Sequence, residues 1–427
     1  MLLRDRVSRI YWRGSFVEYP VTLKLATFRS IGLPSTVTVA FGYLWSAFHQ
    51  QQERSLEDFY INRFGKPLYE MFFESYTQKV WGVHPSEIAP DWGSQRIAGL
   101  SLIKMAGAIV KNHFVKKKHE VATSLIEEFY YPKFGPGQLY ERMAVEIQRL
   151  GGEIRLNSKV QRLNLVDGVV ESVATTSGDI SADWYLSSMS IKDLIHGMTA
   201  TPEVIEISDS LPYRDFITVG LLLKDLKIKN LTNVATLNNI VPDCWIYIQD
   251  RNVRLARLQI FNNWSPYIVK KPQTTVWVGL EYMCNEGDDL CAMPEQDFID
   301  FAAGELKTIG IIDEVSVLDS VQIKMKKAYP AYFGTYRRFS IVREYLDSIP
   351  NLLCIGRNGQ HRYNNMDHSM MTAIEAVRYM TDGGTRDEIW NVNTEEAHHE
   401  QQRQDVSKPM RPKIGGTSGK TERPFPR

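Results

Sequence analysis

Residues 354–380 read CIGRNGQHRYNNMDHSMMTAIEAVRYM and hold the densest set of chemistry-bearing side chains in the chain. A short apolar run, Asn351 to Ile355, leads into Gly356-Arg357-Asn358-Gly359, and the spacing predicts a helix over residues 367–381. Glycines between a buried strand and a helix let the backbone approach another group closely. The start of the helix presents free backbone N–H groups and a partial positive charge, which suit a phosphate or another polar ligand edge. Arg357 and Arg362 add planar, forked anion-binding groups. Met370, Ala373, Ile374, Val377 and Met380 fall on one helical face, the expected packing surface. A plain strand–loop–helix with ordinary caps is the alternative reading of the same residues.

Two other glycine clusters mimic phosphate-binding loops and fail on detail. In Gly415-Gly416-Thr417-Ser418-Gly419-Lys420-Thr421 the position five residues before Gly419 is Ile414, and no strand precedes it. In Gly135-Pro136-Gly137-Gln138-Leu139-Tyr140 the third glycine of a dinucleotide fingerprint is Tyr140, and Pro136 lacks an amide donor. That stretch reads as a tight loop opening a helix.

Composition narrows the classes. The 427 residues suffice for two or three domains, and 43% are hydrophobic and 23% charged, as in a globular protein. Lys+Arg and Asp+Glu both number 50, which argues against a dedicated nucleic-acid binder. Cys244, Cys284, Cys291 and Cys354 form no CxxC pair, and nine scattered histidines show no metal-ligand spacing, so a metal centre is not expected. A reduced, cytoplasmic protein without an integral membrane span is the simple reading, since Lys104 and Lys111 interrupt the best apolar run. The chain opens Met1-Leu2-Leu3-Arg4-Asp5-Arg6, which is no signal peptide.

The elements that must position these residues follow from pattern. Residues 16–130 read as mostly helical: Ser55 precedes the stripe Leu56, Phe59, Tyr60 and Phe64, Gly65 closes it, and Pro67 opens a second stripe of Leu68, Met71, Phe72 and Tyr76. Residues 111–119, KNHFVKKKH, read as a basic helix end with a solvated face. Leu139, Met143, Ile147 and Leu150 mark a helix closed by Gly151-Gly152, and Ile154, Leu156 and Val160 begin strands. Asp167-Gly168 predicts a hairpin turn. Residues 201–340 read as a separate α+β domain, with strands near 216–223, 256–261 and 275–282 and a helix near 295–309. From about Asn393 the chain is polar and aperiodic, which predicts a disordered tail over residues 393–427.

The spelling Gly356-Arg357-x-Gly359-x-x-x-Tyr363-x-x-Met366-Asp367 resembles the C-terminal flavin motif of the FAD-dependent amine oxidase superfamily, in its protoporphyrinogen-oxidase-like and UDP-galactopyranose-mutase-like branches. Phe73-x-x-Tyr76-Thr77-x-Lys79-Val80-Trp81-Gly82 and Ala89-Pro90-Asp91-Trp92-x-x-Gln95-Arg96-Ile97 resemble the helical insert of those oxidoreductases. Tyr131-Pro132-x-x-Gly135-x-Gly137-x-Leu139 resembles their loop into the second half of the flavin domain. The resemblance implies an α/β + α fold. It comprises a Rossmann-like FAD-binding domain over residues 131–200 and 341–385, a helical insert region over residues 1–130 and an α+β substrate domain over residues 201–340. The superfamily begins with a strand–GxGxxG–helix unit and an acidic ribose-binding residue. This sequence shows none, so the flavin domain is expected to be N-terminally truncated.

The resemblance also implies roles. Gly356, Arg357 and Gly359 would face the phosphate and ribityl side of FAD, Met366 and Asp367 would open the helix against the flavin, and the backbone of Val160 would meet the adenine. Arg357 and Tyr363 would reach a substrate phosphate, with Trp264 and Tyr329 as pocket walls. For Trp264 a buried structural aromatic is the alternative. The implied activity is flavin-dependent oxidation of a small molecule, with no acid or base singled out. One alternative is a non-redox, mutase-type reaction on a nucleotide sugar. The other is an inactive remnant or binding partner without flavin.

Overall fold

The structure, a computed structural model, describes residues 1–19, 32–90, 128–313 and 317–393. These lie within one compact unit that runs from Met1 to Glu396. The readings for residues 91–97, 111–119 and 394–427 fall outside the described residues.

A seven-stranded sheet organises the molecule. Its spatial order is Val317–Pro330, Tyr213–Leu223, Val276–Cys284, Arg257–Ile260, Trp245–Ile248, Ser8–Trp12 and Ser15–Glu18. Neighbours are antiparallel except Trp245–Ile248 beside Ser8–Trp12, which run parallel in the register Trp245↔Ser8 to Ile248↔Tyr11. The first eighteen residues hold three strands, two of which extend a sheet built from residues some two hundred positions later.

Strand alternation sorts this sheet into two faces. Ile246, Ile248, Leu258, Ile260, Val278, Leu280, Val219 and Leu221 point to one side and pack on Phe298, Ile299, Ala302 and Leu306 of helix Glu295–Thr308. At the far end of the sheet Ile10 and Val17 turn to a second core, made with Leu56, Phe59, Tyr60, Leu68, Phe72 and Trp81 of the short helices Leu56–Phe64, Lys66–Phe72 and Glu74–Trp81. The first of these is set by the predicted signals: the Ser55 side chain and Asp58 cap each other's backbone, and Gly65 ends it at φ 78°.

A third core gathers Leu163, Tyr185, Ile191, Leu194, Ile207, Leu346 and Leu352. It contains the antiparallel meander Val160–Val166, Val169–Thr175 and Gly178–Ile180, whose hairpin turn is Asp167-Gly168, both at positive φ. Beside it lies a two-stranded parallel sheet of Tyr185–Ser187 and Leu352–Cys354. The mixed α/β architecture expected from the sequence is present.

Three features differ from expectation. Ile154 and Leu156 are exposed and not in a strand; among the described residues no neighbouring strand offers them a ladder. Helix Met366–Asp382 buries His368, Thr372 and Ala376, while Ile374 and Val377 face out. Its small residues are turned inward because the Gly356 loop packs there, with the Gly356 N–H donating to Thr372 Oγ1 at 2.8 Å. Cys284 and Cys291 form a disulfide, so two of the four cysteines are not reduced. The other two, Cys244 and Cys354, are buried thiols.

Candidate functional site

The glycine motif is held by its backbone. Ile355 donates to Ser187 O at 2.9 Å, which ties the motif to the parallel strand pair. Gly356 has φ 75°, a conformation that disfavours any side chain. At Gly359 a Cβ would run into Ser187 O, so only glycine lets the loop lie this close to the neighbouring strand end. Asn364 ties the loop internally through Gly356 O and Gln360 Oε1. Met366 and Asp367 form the exposed first turn of the helix, whose leading N–H groups have no helical acceptors.

Arg357 is aimed by two backbone carbonyls. Its Nε donates to Asn364 O at 2.7 Å and a terminal nitrogen to Ala328 O at 3.2 Å. The guanidinium then lies over the rings of Tyr363, at 4.7 Å, and Tyr329, at 5.2 Å. These two rings are 5.4 Å apart, and Trp81 adjoins Tyr363 at 6.2 Å. Of the sequence-predicted residues, the structure thus brings Arg357, Tyr329 and Tyr363 together beside Gly356 and Gly359, while Met366 and Asp367 stand exposed at the start of the next helix.

It does not bring Val160 or Trp264 to Arg357. Val160 starts the meander, paired with Thr175, and packs against the third core. Trp264 donates through Nε1 to Cys244 O at 3.0 Å and stacks on Trp245 at 5.5 Å, with Phe129 and Tyr131 around it.

Between these groups runs a row of residues that the sequence reading did not select. Tyr247, Arg257, Glu281 and Thr218 sit opposite one another on four adjacent strands, on the sheet face away from the helix Glu295–Thr308 core. Arg257 Nε donates to Glu281 Oε2, and Gln259 donates to Glu281 Oε1 at 2.8 Å. Both oxygens of Glu281 are engaged, and its ion pair offsets the charge of Arg257. Tyr76, from helix Glu74–Trp81, meets Tyr247 edge-on at 5.7 Å. The signal for this row was present as alternation: Arg257 and Gln259 interrupt an apolar strand at period two, and Glu281 does the same on the next.

The electrostatics of the face are consistent. Burial opposes the Arg257 charge, but Glu281 and the surrounding phenols hold its pKa well above the ordinary value. Burial, with Tyr363 alongside, pushes Tyr329 up to about 12 against the pull of Arg257 and Arg357. Burial likewise pushes Tyr76 well above its ordinary value. With Arg257 paired to Glu281, the face offers the Arg357 guanidinium and the neutral phenols of Tyr329 and Tyr76, a set that suits an anionic group on a flat or ring-bearing ligand.

No protein-family profile matches the chain. Solved structures do resemble it. Reduced UDP-galactopyranose mutase aligns at 19% identity over 94% of this chain and 83% of its own, with a TM-score of 0.75. A protoporphyrinogen-oxidase-like protein from Exiguobacterium sp. 255-15 aligns at 15% identity over 89% and 82%, with a TM-score of 0.62. A CLA-producing fatty acid isomerase from P. acnes aligns at 10% identity over 88% and 80%, with a TM-score of 0.53. At these identities the likeness is one of fold: the chain shares the fold of these solved structures. Among the described residues no helix is long and apolar enough to cross a membrane, and no cluster of His, Cys, Asp or Glu is arranged to hold a metal ion.

Proposed function

We propose that this chain is a flavoenzyme of the amine-oxidase type whose substrate is a small molecule carrying an anionic group. The observation that supports it is Arg357, fixed by two carbonyls over Tyr329 and Tyr363 and joined to the glycine loop and helix start expected to face FAD. The division into an insert, two flavin-domain segments and a substrate domain belongs to the same reading. So does a cytoplasmic location.

The glycine loop and the helix start are compatible with the phosphate and ribityl side of FAD. Gly356, where an added Cβ would meet nothing nearer than 3.9 Å, leaves the backbone open to approach, and the helix start at Met366 offers N–H donors and a positive dipole end. No GxGxxG cradle for the pyrophosphate stands in the sequence. When bound, the flavin supplies the hydride or electron chemistry. The chain's own residues orient the substrate anion through Arg357 and hold Tyr329 protonated as a donor. The reaction class that follows is oxidation of the substrate.

A second reading, supported by the same Arg357–Tyr363 pair, is a non-redox reaction on a nucleotide sugar. Absorption spectra before and after FAD addition test the proposal. A structured band near about 450 nm, weakened in Arg357→Ala and Asp367→Ala, is expected. A colourless chain that takes up no FAD would sink it and favour a remnant or binding partner without flavin. With flavin bound, UDP-galactose that binds wild type and loses about tenfold or more affinity in Arg357→Ala selects the non-redox reading.

A further inference from the structure

We propose that helix Leu33–Phe48 joins two copies of this chain. Its sequence, LPSTVTVAFGYLWSAF, has no charged residue in sixteen positions. One face is used internally: Val39 and Ser46 are buried, and Gly42 lies so close to Pro67 that a Cβ there would run into its ring. The opposite face carries Val37, Phe41, Leu44, Trp45 and Phe48 at helical spacing, exposed by 53%, 70%, 53%, 67% and 83%. Trp45 is further fixed by stacking on His49 at 3.9 Å.

Area and charge identify the occupant. With aromatic side chains burying about 150–250 Å² each, the five residues offer roughly 600 Å² per copy. Two such stripes laid antiparallel on each other bury about 1,200 Å², the lower bound of a stable interface. A two-fold axis needs a self-complementary patch, and an apolar stripe centred near Phe41 and Leu44 is one. The helix carries no Lys or Arg, whereas binding to an anionic membrane surface calls for a basic rim.

Sedimentation velocity of the full chain from low to high micromolar concentration tests this. A dimer is expected, with the Phe41→Glu/Trp45→Glu variant monomeric at unchanged circular dichroism. Leu44→Cys, near the two-fold, is expected to cross-link to its own copy on mild oxidation, while Leu231→Cys on another exposed surface does not; this readout holds even if the double variant misfolds. A wild-type chain that stays monomeric, a dimer that persists in the folded double variant, or no Leu44→Cys cross-link would overturn the proposal. So would a monomer that co-sediments with phosphatidylglycerol vesicles through the same stripe.

Discussion

His361 is the most constrained titratable residue of the motif loop. Its ring packs against Tyr213, Tyr336 and Phe339, its Nε2 donates to Ala331 O at 3.1 Å, and its Nδ1 has no partner. Burial pushes its pKa down to about 4 from 6.5, with the Ala331 hydrogen bond working the other way. The folded pKa lies below the unfolded one, so between these values the unfolded chain binds more protons. The stabilising contribution is complete above pH 6.5 and is lost as pH falls toward 4, by up to about 3 kcal/mol. His361→Leu should be less stable at neutral pH by about 1–3 kcal/mol, because Ala331 O loses its donor, but should lack this share of the acid sensitivity. Urea denaturation of both proteins at several pH values measures the difference. Parallel pH profiles would mean that His361 titrates normally and that other groups carry the acid dependence.

At the scale of elements, Lys79 pins helix Glu74–Trp81 to the sheet. Its ammonium donates to Ile248 O, Asp250 O and Leu255 O at 2.9–3.2 Å, and burial lowers its pKa to about 8. Glu305 accepts from the N–H groups of Arg254 and Leu255, so the loop between two strands is clamped from both sides. Lys79→Met keeps the apolar stem and removes the donors. It should cost about 2–3 kcal/mol, read by thermal unfolding, and should disturb Tyr76 and Trp81 on the same helix. A change below about 0.5 kcal/mol would show the three carbonyls to be satisfied by water. Such elements differ in how far the sequence discloses them. Ser55 with Asp58, and Asp167 with Gly168, act within four residues, and both the helix start and the hairpin turn were readable. The Arg257–Glu281 pair joins strands 24 positions apart, and strand Ser8–Trp12 finds its neighbour at Trp245–Ile248. Local propensity carries no term for such pairings; only the period-two polarity of the strands hinted at a site face.

For the whole molecule, the weakest region is the one where apolar faces lack cover. Helix Gly137–Arg149 has the predicted stripe yet buries no residue: Leu139, Met143, Ile147 and the following Leu150 all face out. Ile154 and Leu156 continue this exposed run, and among the described residues strand Tyr185–Ser187 pairs only with Leu352–Cys354. Parallel strands are ordinarily covered on both faces, and two of them form too small a sheet to stand alone. The helix is therefore expected to contribute little to the stability of the chain by itself while promoting association through its stripe. Leu139→Gln/Met143→Gln/Ile147→Gln should leave unfolding free energy within about 0.5 kcal/mol per site, because no packing is removed. The same variant should bind less of a hydrophobic dye and aggregate less on concentration. If the triple variant instead unfolds several degrees earlier, the stripe is packed in the free chain, and the exposed face is not the source of its instability.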